Sequence, residues 1–360
     1  MLQSIKKILE GLKYLGEHSE DLIEIKNQIK DIQIRNQDIQ NRAYDLLWQQ
    51  KTIRHQRDIM FWQSYKLPGE NLTDAKLRFF HSLPSASGDD RKAQLLMVAL
   101  LKIIHDTCRN NEISYWLDFG TLLGAVRHNG FIPWDDDIDI GMMRHDAMRL
   151  CEILKKDKRF FVRNYYVNSR ENGINQICQI KWSETPFGPY SGAIDIFLYD
   201  YSLSEANQEN WRYWLEQKKN AVEDSKQYPE ARGQLENLIK GNTQKVLKDV
   251  YLMHFQDLKV KLKISDDEGP SIIFGFDNLD YPYADVHMFK KERIFPLKKL
   301  RYEGNEFFVP NEYMEYVSPI YGDIFSLPSD MLSHVHVNLQ KQLPVLEYLF
   351  EKYVVQDQDV

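Results

Sequence analysis

The chain reads as an α/β (α+β) protein, a mixed sheet flanked by helices and preceded by a long N-terminal coiled-coil helix. Three observations predict this. Before Pro68 apolar residues recur every seven positions, with no proline and only Gly11 and Gly16 as glycines. From Asp89 to Asp200, segments of helical period alternate with short segments of strand period. The composition, 43% apolar and 28% charged over 360 residues, is that of a soluble chain with a sizeable core and more than one unit.

Taken in order, Ile25, Ile32, Ile39, Leu46 and Ile53 form one row of the N-terminal seam. Its companion row is Ile8, Leu15, Leu22, Ile29, Asn36, Ala43 and Gln50, which turns polar or small after Ile29. Sustained heptads of this kind predict a coiled coil, in which Asn36 and Gln50 weaken the seam while restricting register or oligomer state. The alternative is a single long helix lying on the globular body. Residues 67–90 read as turn and linker chemistry around Pro68-Gly69 and Leu83 to Asp90. Then follow a helix over Arg91–Asn111, a strand at Ile113–Phe119, a helix over Gly120–His128 closed by Asn129-Gly130, a strand at Asp137–Met143 and a helix over His145–Lys156. Strands at Phe160–Val167 and Ile177–Trp182 flank a turn-like NSRENGIN, and Ala193–Asp200 is a last strand. Residues 204–263 are helical and charged, with a break at Tyr228-Pro229. A hairpin, KLRYEGNEFFVP, and helices near Asn311–Val317 and Leu339–Val354 complete the chain. The division expected is a helix over 1–66, a linker over 67–90, a core over 91–200, a helical insertion over 201–270 and a C-terminal part over 271–360.

The 46 Lys and Arg against 53 Asp and Glu leave a net charge of −7, which argues against a nucleic-acid coat. No stretch approaches the ~20 consecutive apolar residues of a membrane span, and no secretory leader is expected. Cys108, Cys151 and Cys178 show no disulfide or metal spacing, so a reducing cytoplasm is expected.

The most informative stretch is PWDDDIDIGM, Pro133 to Met142. On a strand, Asp137 and Asp139 share one face while Ile138 and Ile140 enter the core from the other. Two carboxylates side by side repel unless a cation or proton lies between them. Mg²⁺ accepts such oxygens and keeps positions open for phosphates, so the pair suits phosphoryl transfer. An isolated pair of this kind also occurs as an acidic turn capping a strand. Two neighbours sharpen the reading. Gly120 and Thr121 stand where a strand gives way to a helix, a start suited to a phosphate, with Arg127 a turn and a half further on. Asp195 lies inside an apolar strand, where a carboxylate is costly to bury without a partner. Asp135 and Asp136 read as turn residues or supports rather than ligands.

The stretch YWLDFGTLLGAVRHNGFIPWDDDIDIGM, Tyr115 to Met142, resembles the LicD family of phosphocholine-transferase relatives, which includes fukutin-related proteins. AIDIF around Asp195 supports the resemblance, and YGDIFSLP from Tyr321 to Pro328 does so more loosely. It covers roughly residues 90–340 and leaves the N-terminal helix outside. It implies a nucleotidyltransferase-like fold and transfer of a phospho-alcohol from a CDP-linked donor to a hydroxyl of a glycan or lipid-linked glycan, releasing CMP. By match of motif, Asp137, Asp139 and Asp195 become the catalytic and metal-binding acids, and Gly120, Thr121 and Arg127 the donor-phosphate residues. The family's animal branch carries a zinc-binding cysteine cluster that has no counterpart here, so Mg²⁺ or Mn²⁺ is expected and zinc is not. Asp195 is also the candidate general base. Lys181, in the strand IKW, is a second candidate for the leaving phosphate; a solvated surface lysine is the alternative. His128 either touches substrate or ends its helix. His334 and His336, alternating in SHVHVN, make a poor metal pair without a third ligand.

The partners expected are therefore a CDP-alcohol donor, a glycan acceptor and, through the N-terminal helix, further copies of the chain, with no nucleic acid. The expected place is the cytoplasm, at the inner face of the cell membrane. Two other functions use the same residues: a nucleotidyltransferase moving a nucleoside monophosphate from an NTP, and a coiled-coil interaction protein carrying an inactive transferase domain.

Overall fold

A computed structural model describes residues 20–169, 172–228, 243–278, 288–327 and 338–356. The chain divides into two compact units, Met1–Ala75 and Lys76–Val360. The first contains α1, a helix of 46 residues from Glu20 to Tyr65. The heptad positions Ile8 and Leu15 lie outside the described residues. Next comes α2 (Leu72–Ser82), inside the stretch read as a linker. Asn71 caps it, its side-chain oxygen accepting from the Asp74 N–H at 2.9 Å.

The second unit is a mixed sheet between helices. Its elements are α3 (Gly88–Asn110), β1 (Trp116–Leu117), α4 (Phe119–His128), β2 (Ile138–Met143), α5 (Arg144–Leu154), β3 (Phe160–Ser169), β4 (Gly173–Trp182) and β5 (Ile194–Ser202). They continue with α6 (Gln208–Ser225), α7 (Thr243–Lys261), β6 (Ile264–Ser265), β7 (Ser271–Phe274), β8 (Met288–Lys290), α8 (Lys291–Ile294), β9 (Lys298–Tyr302) and β10 (Asn305–Val309). Last come α9 (Tyr313–Tyr321) and α10 (Leu339–Phe350), the latter running into a π-type turn, Glu351–Val355. The expected order of helices and strands is present, with the strand at Ile113–Phe119 shortened to two residues. His334, His336 and Pro229 lie outside the described residues.

The main path of the sheet is β1-β2-β5-β4-β3, extended from β5 by β6 and β7 and from β7 by β8. Among the described residues only β2 and β5 run parallel; the other pairs of this sheet are antiparallel. The parallel pair is in the middle, where Ile138, Ile140, Ile194 and Ile196 are buried on one face. On that face Cys178 of β4 meets Cys151 of α5, sulfur to sulfur at 3.7 Å, both thiols being free. Trp182 stacks on Tyr353 at 4.0 Å, and α3 packs against α10, so the C-terminus closes the same side. The alternation leaves the odd-numbered residues of β2 and β5, Asp139 and Asp195 among them, on the opposite face.

The hairpin β9–β10 turns at Glu303-Gly304, both with positive φ (50° and 75°), as a tight two-residue turn requires. Its tip rests on the Asn129-Gly130 turn that ends α4: the Glu303 N–H donates to the Asn129 carbonyl at 3.0 Å, and the Glu303 carboxylate accepts from the Phe131 N–H at 2.9 Å and from Arg91. A Cβ at position 130 would lie 2.5 Å from that carboxylate, so a side chain there would displace Glu303 from these bonds. This anchorage sets the path of Ile132 to Asp136. Among the described residues no helix is long and apolar enough to cross a membrane.

Candidate active site

Parallel pairing of β2 with β5 sets Asp139 directly beside Asp195, and antiparallel pairing of β5 with β4 sets Asp195 beside Gln179. The next strand continues the row, since Arg163 pairs with Gln179. Hydrogen bonds run along it: Arg163 Nη1 donates to Gln179 Oε1 at 3.2 Å, and Gln179 Nε2 donates to Asp195 Oδ1 at 2.6 Å. Asp137, just before β2, completes the group, with one carboxylate oxygen from each of Asp137, Asp139 and Asp195 within 4.8 Å of the others.

A second group, Asp135, Asp136 and Asp137, adjoins the first through Asp137. Both consist of aspartates alone. Asp135 is a turn residue, its N–H donating to the Ile132 carbonyl at 2.9 Å, and it also faces the site. Its backbone carbonyl accepts from Gln94 Nε2 at 2.9 Å, and its carboxylate turns toward the start of α4. A Cβ at Gly120 would lie 3.1 Å from Asp135 Oδ2 and 4.0 Å from Asp139 Oδ2. Glycine thus lets the helix start and the carboxylates share one space. Burial first, then the charge of Asp137, push the Asp135 carboxyl up to about 8. Burial followed by the charges of Asp137, Asp195 and Asp135 holds Asp139 well above the ordinary carboxylate range. The cluster is a group of acids that resist ionising together.

Helix α4 is fixed at this place by Asp118, a residue that the sequence reading quoted without assigning a role. Asp118 is fully buried and caps the helix, accepting from the Phe119 N–H at 2.9 Å. It also accepts from the hydroxyls of Tyr199 (2.9 Å) and Tyr316 (2.8 Å), while its own N–H donates to the Asp139 carbonyl at 3.1 Å. Burial pushes its carboxyl up to about 6, against the opposing pull of these bonds. Phe119 takes a positive φ of 38°, a costly conformation for a non-glycine residue, and turns the chain from strand into helix. Thr121 braces the other side: its hydroxyl accepts from the Asp139 N–H at 2.8 Å. Thr121 therefore ties the helix start to β2 through its side chain.

Arg127 is buried and lies over the Phe80 ring, 4.6 Å from its centroid. Its Nη1 donates to the Ile324 carbonyl at 3.1 Å and its Nε to His128 Nε2 at 3.1 Å. The first of these bonds docks the YGDIF segment. Burial lowers Arg127 to about 10, with Tyr321 and Asp135 opposing the fall. His128 packs edge-on against Phe80 and Trp134 and is pushed down to about 3 by burial and Arg127, so it stays neutral. Lys181 lies two residues beyond Gln179 on the same face of β4 and is only 7% exposed, which excludes a solvated surface role. Burial and the neighbouring Arg163 bring its amine down to about 8, while Asp195 pulls it up.

Residues 112–238 match the profile of the LicD/FKTN/FKRP nucleotidyltransferase domain. The chain is 28% identical over 265 residues to the lipopolysaccharide cholinephosphotransferase LicD of Haemophilus influenzae, spanning 67% of this chain and 92% of that protein. An uncharacterised protein of Rickettsia prowazekii, RP689, is 44% identical over 88 residues, 24% of this chain and 31% of its own length. The ribitol 5-phosphate transferase FKRP of Homo sapiens is 49% identical over 43 residues, 12% of this chain and 8% of its own. Asp137, Asp139, Asp195 and the start of α4 all lie within the segment that matches this LicD-family domain.

Proposed function

We propose that this LicD-family phosphotransferase moves a phospho-alcohol, phosphocholine or a close relative, from a CDP-linked donor to a hydroxyl of a cell-surface glycan, releasing CMP. The observation that carries the reading is the convergence of Asp137, Asp139 and Asp195 beside the start of α4. Two relatives support the class of group moved, one named for cholinephosphate transfer and lipopolysaccharide, the other for ribitol 5-phosphate.

The donor set fits a hard divalent cation, Mg²⁺ or Mn²⁺. Every candidate ligand atom is a carboxylate oxygen, and the burial and mutual repulsion that raise the Asp139 carboxyl are what such a cation relieves. Asp137, Asp139 and Asp195 would hold it, and when bound it supplies Lewis-acid stabilisation of charge growing on a pyrophosphate. The rest falls to the chain. The first turn of α4, at Gly120 and Thr121, receives donor phosphate. The acceptor hydroxyl oxygen forms a bond to the phosphorus bearing the alcohol as the bond from that phosphorus to the CMP phosphate oxygen breaks. The hydroxyl proton passes to Asp195, oriented by Gln179. Lys181 and Arg127 supply positive charge toward the departing CMP.

The test is a donor panel of CDP-choline, CDP-glycerol, CDP-ribitol, CDP-ethanolamine and the four NTPs, with a mixed glycan extract and either Mg²⁺ or EDTA, followed by mass spectrometry. Mg²⁺-dependent CMP release from one CDP-alcohol, with a matching phosphodiester on glycan, is the expected result. The match to a nucleotidyltransferase domain favours one alternative, moving a nucleoside monophosphate from an NTP, which would release pyrophosphate instead. No turnover and no Mg²⁺-dependent donor binding would leave an interaction protein with an inactive domain.

A further inference from the structure

Helix α1 carries a row of large apolar side chains that its own unit leaves in solvent. Ile25, Ile32, Ile39, Leu46, Ile53 and Met60 follow one another at intervals of seven and are 41%, 52%, 63%, 63%, 66% and 72% exposed. Five full heptads exceed the three or four that mark a coiled-coil seam. The companion row beside it includes Asn36, Ala43 and Gln50. We infer that α1 is one strand of a parallel, in-register coiled coil with a second copy of this chain.

Self-pairing in that arrangement follows from the flanks. The positions bordering the seam are Gln28, Arg35, Arg42 and Gln49 on one side, and Gln33, Gln40, Leu47 and Arg54 on the other. In a parallel, in-register pair each residue of the first set meets the residue five places on in its partner: Gln28 with Gln33, Arg35 with Gln40, Arg42 with Leu47, Gln49 with Arg54. No like charges meet across these flanks, and the one like pair in the seam, Arg57 facing Arg57 near its end, is partly offset because each Arg57 is bonded to its neighbour Asp58. In the same pair Asn36 faces Asn36 and Gln50 faces Gln50, so each buried amide has an amide to bond. A fully overlapped antiparallel pair is different in both respects. It packs the two rows against each other, placing Asn36 on Leu46 and Gln50 on Ile32, and it brings Arg42 against Arg42 and Lys26 against Arg54. Unpaired buried amides and like-charge contacts both oppose it. Helix polarity is therefore written into the seam and its flanks.

The experiment is light scattering on the full chain, with disulfide trapping. The wild-type protein is expected at an integer multiple, two or more, of the 42.7 kDa chain mass. Ile39→Asp with Leu46→Asp should return it to one chain, whereas Ile34→Asp, equally exposed at 58% but off the seam, should not. Asn36→Cys should cross-link to itself on oxidation; Cys108, Cys151 and Cys178 are buried. A single-chain mass for the wild type, or an assembly that survives the double substitution, would overturn self-association through α1. Cross-linking only when Asn36→Cys is combined with Leu46→Cys would overturn the parallel register.

Discussion

The same two parallel strands, β2 and β5, carry acidic side chains at both of their ends, and the two ends are built oppositely. At the leading end Asp139 is beside Asp195, with Asp137 and Asp135 close by, and carboxylates face carboxylates. At the trailing end Arg144, the residue after β2, holds Asp200 of β5 through two bonds of 2.7 Å and Asp277 through bonds of 2.6 and 2.8 Å. One guanidinium forks onto two buried carboxylates, and the buried Lys218 amine adds a second positive charge that interacts with Asp277, so that cluster is balanced within the chain. The leading cluster has acids in excess and keeps protons instead. The trailing end is structural, and the leading end, on the function proposed above, takes its balancing charge from a cation.

The largest effect expected is on turnover. Asp139→Asn should lower CMP release by about three orders of magnitude or more, a loss of several kcal/mol of transition-state stabilisation. In metal-free protein the same substitution should leave Tm unchanged or raise it, because it removes one of the mutually repelling acids. Arg144→Met should do the reverse. It strands Asp200 and Asp277, so chemical denaturation should show a loss of about 3–5 kcal/mol, the cost of breaking a buried pair. Equal destabilisation by both variants would erase the contrast between the ends.

Gln179→Leu tests the polar row behind the acids. Removing the amide that holds Asp195 should cost roughly 10–100-fold in metal affinity or turnover, as loss of a group orienting a metal ligand does. Unchanged Tm would separate that from a folding defect. A smaller effect concerns pH. Asp135 is raised from the ordinary value near 3.8 to about 8, and Asp118 to about 6, so the folded state keeps protons that the unfolded chain has lost. Stability from these groups is full below about pH 4 and is lost as pH rises through 6 and 8. Added Mg²⁺ should therefore raise Tm by a few degrees at pH 8 and by less at pH 6. Cutting the chain before Pro68 should change turnover least of all, since no residue of the acidic cluster lies there.

Much of the candidate site could be read from local pattern. Alternation on a strand placed Asp139 opposite the buried Ile138 and Ile140, and a lone Asp195 in an apolar run pointed to a partner. The hairpin at Glu303-Gly304 was equally legible from its turn residues. What escaped the sequence depends on long-range pairing. Gln179 matters because β4 aligns it with Asp195, and nothing in IKW or its surroundings announces that register. Asp118 looked like one more residue of YWLDFG until Tyr199 and Tyr316, distant along the chain, brought their hydroxyls to it. Asp135 closes the turn that its sequence suggested, but its approach to the start of α4 escaped notice because the absence of a side chain at Gly120 leaves no trace of what fills the space. Helix α2 was hidden by its flanks: Pro68-Gly69 and the Ser- and Gly-containing run after Leu83 drew attention from Leu72, Ala75, Phe79 and Phe80 between them.

The most direct test of the difference between the two ends is a Mn²⁺ titration followed by electron paramagnetic resonance, on wild type, Asp137→Asn and Asp139→Asn. Saturable binding by the wild type that Mg²⁺ displaces, and that both substitutions abolish while the proteins remain folded, is the result predicted here. Wild-type protein that binds no Mn²⁺, or binding that survives both substitutions, would contradict the assignment of the acidic cluster as the cation site.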